Sequence, residues 1–177
     1  RKRNCEFNLT TSPITSKPKM PRIELNTEIN APIDVVFDLS RSIDFHTKTT
    51  QHTGEKAIAG KTSGLISLNE TVTWKAKHFG VTQQLTSKIT VMRRPDIFVD
   101  EMTKGVFKSL CHQHLFLEEG SKTLMIDIFE FESPLGILGK WANRLFLKKY
   151  LEGFIIERNA HIKAMAEGDG WKEFVRL

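Results

Sequence analysis

Long apolar runs, cysteines and a leader-like segment are all scarce in this chain of 177 residues. No stretch reaches the roughly 18 apolar residues that a transmembrane helix needs. Only two cysteines, Cys5 and Cys111, are present. That is too few for a disulfide framework and points to a reducing, cytoplasmic setting. The first 19 residues, RKRNCEFNLTTSPITSKPK, lack the apolar segment of a secretory signal. They are polar, carry Pro13 and Pro18, and show no steady period. Residues 1–19 are therefore expected to be a disordered or non-native extension, Met20 the natural start, and 20–177 a single domain.

Charge of one sign is scarce as well, although the net charge is +5. Residues 1–19 hold five basic residues against Glu6 alone, which leaves 21 basic and 20 acidic residues from Met20 onward. A nucleic-acid groove needs basic charge clustered on the folded domain. Nucleic acid is thus not an expected partner. No cofactor fingerprint occurs either. GEKAIAGKT (54–62) imitates a phosphate loop, but five residues separate Gly54 from Gly60 where the motif needs four. No cofactor is expected.

What is abundant is alternation. RIELNTEINA (22–31) sets Ile23, Leu25, Thr27 and Ile29 against Arg22, Glu24, Asn26 and Glu28, the period of a half-buried strand. Pro32 and Asp34 then open a short helix carrying Val35, Val36, Phe37 and Leu39. Residues 46–64, rich in Thr, His, Lys and Gly, hold one short strand near Glu55–Ala59. From Leu65 strands follow one another to Glu132, joined by short turns, as in an antiparallel meander. One face of the first carries Val72, Trp74, Ala76 and His78. Ser133 and Pro134 end the sheet, and Ile137 to Ala166 reads as one long helix that is too apolar to stand alone. The fold class is α+β, a sheet wrapped around a C-terminal helix.

One strand, SLCHQHLFLEE (109–119), places His112 and His114 on the same face as Leu110 and Phe116. A hairpin turning at Glu119-Gly120 puts His112 opposite Asp127 and His114 opposite Met125. Whether Asp100 or Glu101 joins them depends on the Thr103–Gly105 turn, where one bulge residue reverses the facing. The pair reads as satisfied core residues, as polar anchors of a ligand cavity, as an acid–base pair with Asp127, or as two metal ligands whose third, His78 or Asp127, the pattern does not fix. No metal set is assigned. Cys111 points to the opposite face from His112, which argues against a Cys–His nucleophile. Trp74 and His78 read as packing residues rather than ligand contacts, and helix-on-sheet packing is the default for Trp141 and Tyr150. Lys140, Arg144, Lys148 and Lys149 read as a solvated helix face or as a surface for transient contact with anionic membrane.

The order of elements and several residues within it resemble the START-like superfamily, also called SRPBCC or Bet v 1-like, whose fold is the helix grip. The residues are Trp74-Ala76-His78-Phe79-Gly80, Phe98-Asp100, His112-His114-Phe116, Thr123-Asp127 and Pro134-Gly136, similar to the polyketide cyclase/dehydrase-type ligand-binding branch. The resemblance covers about Pro21 to Glu167. It implies a deep cavity between curved sheet and long helix, and relatives that carry lipids, sterols, polyketides or quinone-like molecules or close aromatic rings. The expected function is binding or carriage of a hydrophobic or amphipathic small molecule. Its expected contacts are Phe98, Asp100, His112, His114, Phe116, Met125, Asp127, Phe129 and Trp141. The alternative is a cyclase or dehydratase using His112, His114 and Asp127 as catalytic residues.

Overall fold

Period-two alternation places one side of each strand against the long helix and the other in solvent, and this builds the sheet. The structure, a computed structural model, describes residues 20–50, 54–78, 80–133 and 140–175, with side chains from 146 onward in the last segment. Residues 1–19, with the expected extension, lie outside it, as do Phe79 and the Pro134-Gly136 pair named in the resemblance. The elements run β1 (Arg22–Ile29), α1 (Ile33–Ser40), α2 (Ile43–Thr49), β2 (Lys56–Gly60), β3 (Thr71–His78), β4 (Val81–Arg93), β5 (Ile97–Lys104), β6 (Ser109–Glu119), β7 (Lys122–Glu132) and α3 (Lys140–Glu167). The seven strands form one antiparallel sheet in the order β1-β7-β6-β5-β4-β3-β2. This is the α+β helix-grip architecture expected from the pattern.

Two local features differ from the sequence reading. The first helix is followed at once by a second, α2, inside the Thr-rich stretch. Its propensity is poor, but Ser42 caps it by accepting from the Phe45 N–H at 3.3 Å. Ile43 and Phe45 bury against the core, with Phe45 edge-on to Phe174 at 5.4 Å. Tertiary packing has overridden propensity there. Second, the β6–β7 hairpin turns at Gly120-Ser121, with Glu119 paired to Lys122. Gly120 holds the positive φ of +66° that the first position of such a tight turn requires. The register moves by two residues, so His114, not His112, faces Asp127, and His112 faces Phe129. A shift of two preserves the face.

Helix α3 has 28 residues, about 42 Å of helix. Its C-terminal end is fixed to β1: the Glu167 carboxylate accepts from Asn30 N at 2.8 Å, and Lys163 Nζ donates to Glu28 O at 2.6 Å. The buried stripe Ile155, Arg158, Asn159, Ile162 and Ala166 then faces the sheet. α1 fills one end of the concave face. Phe37 meets Phe98 and Phe116 edge-on at 5.5 and 5.3 Å, and Ser40 Oγ contacts Met125 Sδ at 3.6 Å. No described helix is long and apolar enough to cross a membrane.

Candidate functional site

Beyond α1, a cavity of about 210 Å³ remains between the concave sheet and α3. Its apolar wall includes Ile66, Val72, Trp74, Phe98, Phe129 and Phe154. Of the expected wall residues, Phe98 and Phe129 are there. Phe116 and Met125 are not: they lie fully buried under α1, which occupies the space they were expected to line. The Trp141 side chain falls outside those described. Trp74, His78 and Tyr150, read from sequence as packing residues, do line the cavity.

Two polar clusters interrupt the apolar wall. The inner one is built from β5, β6, β7 and α3. His112 Nε2 lies 2.8 Å and His114 Nδ1 2.9 Å from Asp127 Oδ1. On their cavity side, His114 Nε2 is 3.1 Å and His112 Nδ1 3.9 Å from Asp100 Oδ2. Asp127 is wholly buried, and it also accepts from Arg158 Nη1 at 3.1 Å and Asn159 Nδ2 at 2.7 Å. Arg158 makes a longer contact to His114 Nδ1, 3.4 Å, while Asn159 reaches on to Thr27 Oγ1 at 3.2 Å.

The surroundings set the charges. Burial works to raise the Asp127 carboxyl, but the Arg158 guanidinium and the hydrogen bonds from His112 and His114 hold it well below the usual carboxylate range. Burial opposes ionisation of Asp100 too, and the hydrogen bond from His114 with the nearby positive groups outweighs it. His112 is pushed down to about 4, chiefly by burial and then by its neighbour His114, against the pull of Asp127 and Asp100. Among the described residues, no buried side-chain nitrogen or oxygen lacks a partner.

The outer cluster joins α2, β3, α3 and the segment before β2. His78 Nδ1 lies 2.7 Å from the Tyr150 hydroxyl, and His46 Nε2 lies 3.2 Å from Glu55 Oε2. All four residues line the cavity. Burial would raise Glu55, but the hydrogen bond and charge of His46 and the charge of His78 bring it below its ordinary value. Tyr150 is pushed up by burial and by the Glu55 carboxylate.

The structure thus brings Asp100, His112, His114 and Asp127 together, with Asp127 behind the histidines rather than on the cavity surface. Glu101 faces away and accepts from Thr90 Oγ1 at 3.1 Å. Thr123 also has a structural role, donating to Ala31 O at 2.8 Å to hold β7 against the entry to α1. Sequence reasoning missed Arg158 and Asn159. The signal was an arginine and an asparagine standing in the stripe of Ile155, Ile162 and Ala166, where apolar residues belong. Cys111 is disulfide-bonded. That removes the argument from cysteine count for a reducing compartment.

No family model and no curated protein matches the chain. Solved structures do. The Zhui aromatase/cyclase from Streptomyces sp. R1128 is 12% identical with a TM-score of 0.67, covering 84% of this chain and 94% of its own. Ginseng major latex-like protein 151 from Panax ginseng is 17% identical with a TM-score of 0.62, covering 84% and 99%. A START superfamily protein from Mycobacterium smegmatis is 10% identical with a TM-score of 0.63, covering 82% and 97%. At these identities the likeness concerns the fold: the chain has the START-like, helix-grip fold.

Proposed function

We propose that the protein binds a small, largely apolar molecule in the cavity and orients it by hydrogen bonds at two places. The observation that carries this reading is the wall itself: aromatic and aliphatic side chains broken by two polar clusters that both face the same space. A mostly apolar pocket with few convergent polar groups is the usual form of a small-molecule site. Asp100, an acceptor, calls for a ligand hydroxyl or amine at the inner end. The Tyr150 hydroxyl and His78 suit a second oxygen or nitrogen at the outer end. The aromatase/cyclase among the structural neighbours makes a cyclic, oxygen-bearing skeleton a reasonable first choice of probe.

Native mass spectrometry of freshly purified protein, set against its denatured mass, tests this. The expected result is a removable adduct of small-molecule mass, which extraction identifies. Phe129→Ala and Asp100→Asn are expected to weaken its retention. Protein that arrives without an adduct and binds nothing from a panel of polycyclic phenols and amphipathic lipids sinks the proposal. A second reading, acid–base catalysis in the same cavity, draws on the 2.8 Å contact of His112 with Asp127, the geometry of an oriented imidazole. Turnover of a bound probe, abolished in His112→Gln and His114→Gln while binding persists, separates catalyst from carrier.

A further inference from the structure

The inner cluster has a feature that ligand anchoring does not require: its two imidazoles are aligned back and front. Both rear nitrogens, His112 Nε2 and His114 Nδ1, lie within 2.9 Å of one carboxylate oxygen, Asp127 Oδ1. An ionised carboxylate only accepts hydrogen bonds, so a neutral His112 ring carries its proton on Nε2, toward Asp127. Of the front nitrogens, His112 Nδ1 is then a bare lone pair 3.9 Å from Asp100 Oδ2, whereas His114 Nε2 is hydrogen-bonded to the same oxygen at 3.1 Å. A shift of the His114 proton to Nδ1, which lies 2.9 Å from Asp127 Oδ1, turns the three front atoms into converging acceptors that a cation can join.

We infer that Asp100, His112 and His114 form a binding site for a divalent transition-metal ion, with Asp127 orienting both histidines from behind. The three donor atoms lie within 4.8 Å of one another. Donors held about 2.1 Å from a tetrahedral ion are roughly 3.4 Å apart, so the site needs only small adjustments to close on one. Two nitrogens and one carboxylate oxygen suit Zn²⁺, Co²⁺ or Fe²⁺ better than Mg²⁺ or Ca²⁺, which prefer oxygen. The rear carboxylate matches the second layer that fixes tautomer and ring orientation at histidine metal sites. Asp127 in turn is held by Arg158 Nη1 and Asn159 Nδ2 at 3.1 and 2.7 Å, so the layer is rigid. Because all three ligands line the cavity, an ion here would keep an open position toward it. His78 and Asp127, the third ligands considered from sequence, are replaced by Asp100.

The test is a titration of chelator-stripped full-length protein with Zn²⁺ by calorimetry and with Co²⁺ by visible absorption. It uses the ions alone, so its outcome is independent of the organic ligand. The expected result is one ion per chain, with affinity falling by about 100-fold or more in Asp100→Asn and His114→Gln. Affinity should be unchanged in His161→Gln, an exposed histidine on α3. Should the site variants fail to fold, ring ¹⁵N spectra of the unaltered protein decide: Zn²⁺ must shift His112 Nδ1 and His114 Nε2. No saturable binding, binding that survives Asp100→Asn, or shifts confined to His46, His78 or His161 would overturn the assignment.

Discussion

The inner and outer polar clusters share a cavity and each pairs histidine with a carboxylate, yet they are closed in different ways. The inner cluster converges on a carboxylate with no solvent exposure, which takes hydrogen bonds from a strand histidine, a helix arginine and a helix asparagine. The outer cluster consists of two separate pairs, His46 with Glu55 and His78 with Tyr150, at half-buried positions. A buried ionic group is tolerable only when all its partners are in place. A half-buried pair can exchange a lost partner for water. The inner cluster therefore carries structure and chemistry together, and the outer one tunes recognition at little structural cost.

The largest expected effect breaks that contrast at its centre. Asp127→Ala leaves Arg158, Asn159 and His112 without their common acceptor, and loss of a buried charge partner costs about 3–5 kcal/mol. For a chain of this size that lowers Tm by roughly 6–20 °C, measurable by calorimetry, and urea unfolding gives the same loss as a lower midpoint. A loss below about 1 kcal/mol would show that Arg158 swings free, and the two clusters would then be equivalent. Arg158→Met should cost less, about 2–4 kcal/mol, because Asp127 keeps its histidine and asparagine donors. Asp127→Asn combined with Arg158→Met should show a coupling of about 1–3 kcal/mol, as expected of residues in one network.

The outlines of this contrast were legible in the sequence, its connections only in part. The period-two strands, the long helix and the shared face of His112, His114 and Asp127 follow from alternation alone, and that face survives a register shift of two. The shift itself depended on which two residues took the turn, a choice between Glu119-Gly120 and Gly120-Ser121 that alternation does not make. Phe116 and Met125 carry the same hydrophobic signal as Phe98 and Phe129. Only the packing of α1 through Phe37 decides which pair is core and which lines the cavity. Arg158 and Asn159 could have been suspected as polar interruptions of an apolar stripe. That they reach Asp127 depends on where α3 lies along the sheet, fixed by Glu167 and Lys163 at the far end.

A smaller effect sharpens the comparison through pH. The Glu55 carboxyl lies below its ordinary value in the folded protein. Between the folded and unfolded pKa values the unfolded chain binds more protons, so stability rises with pH across that window. The contribution of Glu55 is complete above about pH 4.5 and is lost as pH falls through the folded value. Glu55→Gln should flatten this part of the acid limb in urea midpoints measured from pH 3.5 to 6, by about 0.5–1.5 kcal/mol. An unchanged slope would mean that His46 and Glu55 separate in solution.

The smallest structural effect, and the most informative for recognition, belongs to Tyr150→Phe. The substitution keeps the ring on the cavity wall and removes only the hydroxyl that lies 2.7 Å from His78 Nδ1. Since Tyr150 is half-buried, water can take over the freed histidine nitrogen, and stability should change by less than about 1 kcal/mol. Ligand affinity responds differently, because a bound molecule excludes that water. A hydroxyl that contacts the ligand contributes about 0.5–1.5 kcal/mol, so its removal should weaken binding by roughly 2- to 10-fold. Unchanged affinity with unchanged stability would confine the polar anchor to Asp100, His112 and His114, and the outer cluster would become part of the wall. A loss of several kcal/mol in stability would reverse the contrast, making the His78–Tyr150 pair the strut that holds α3 over β3.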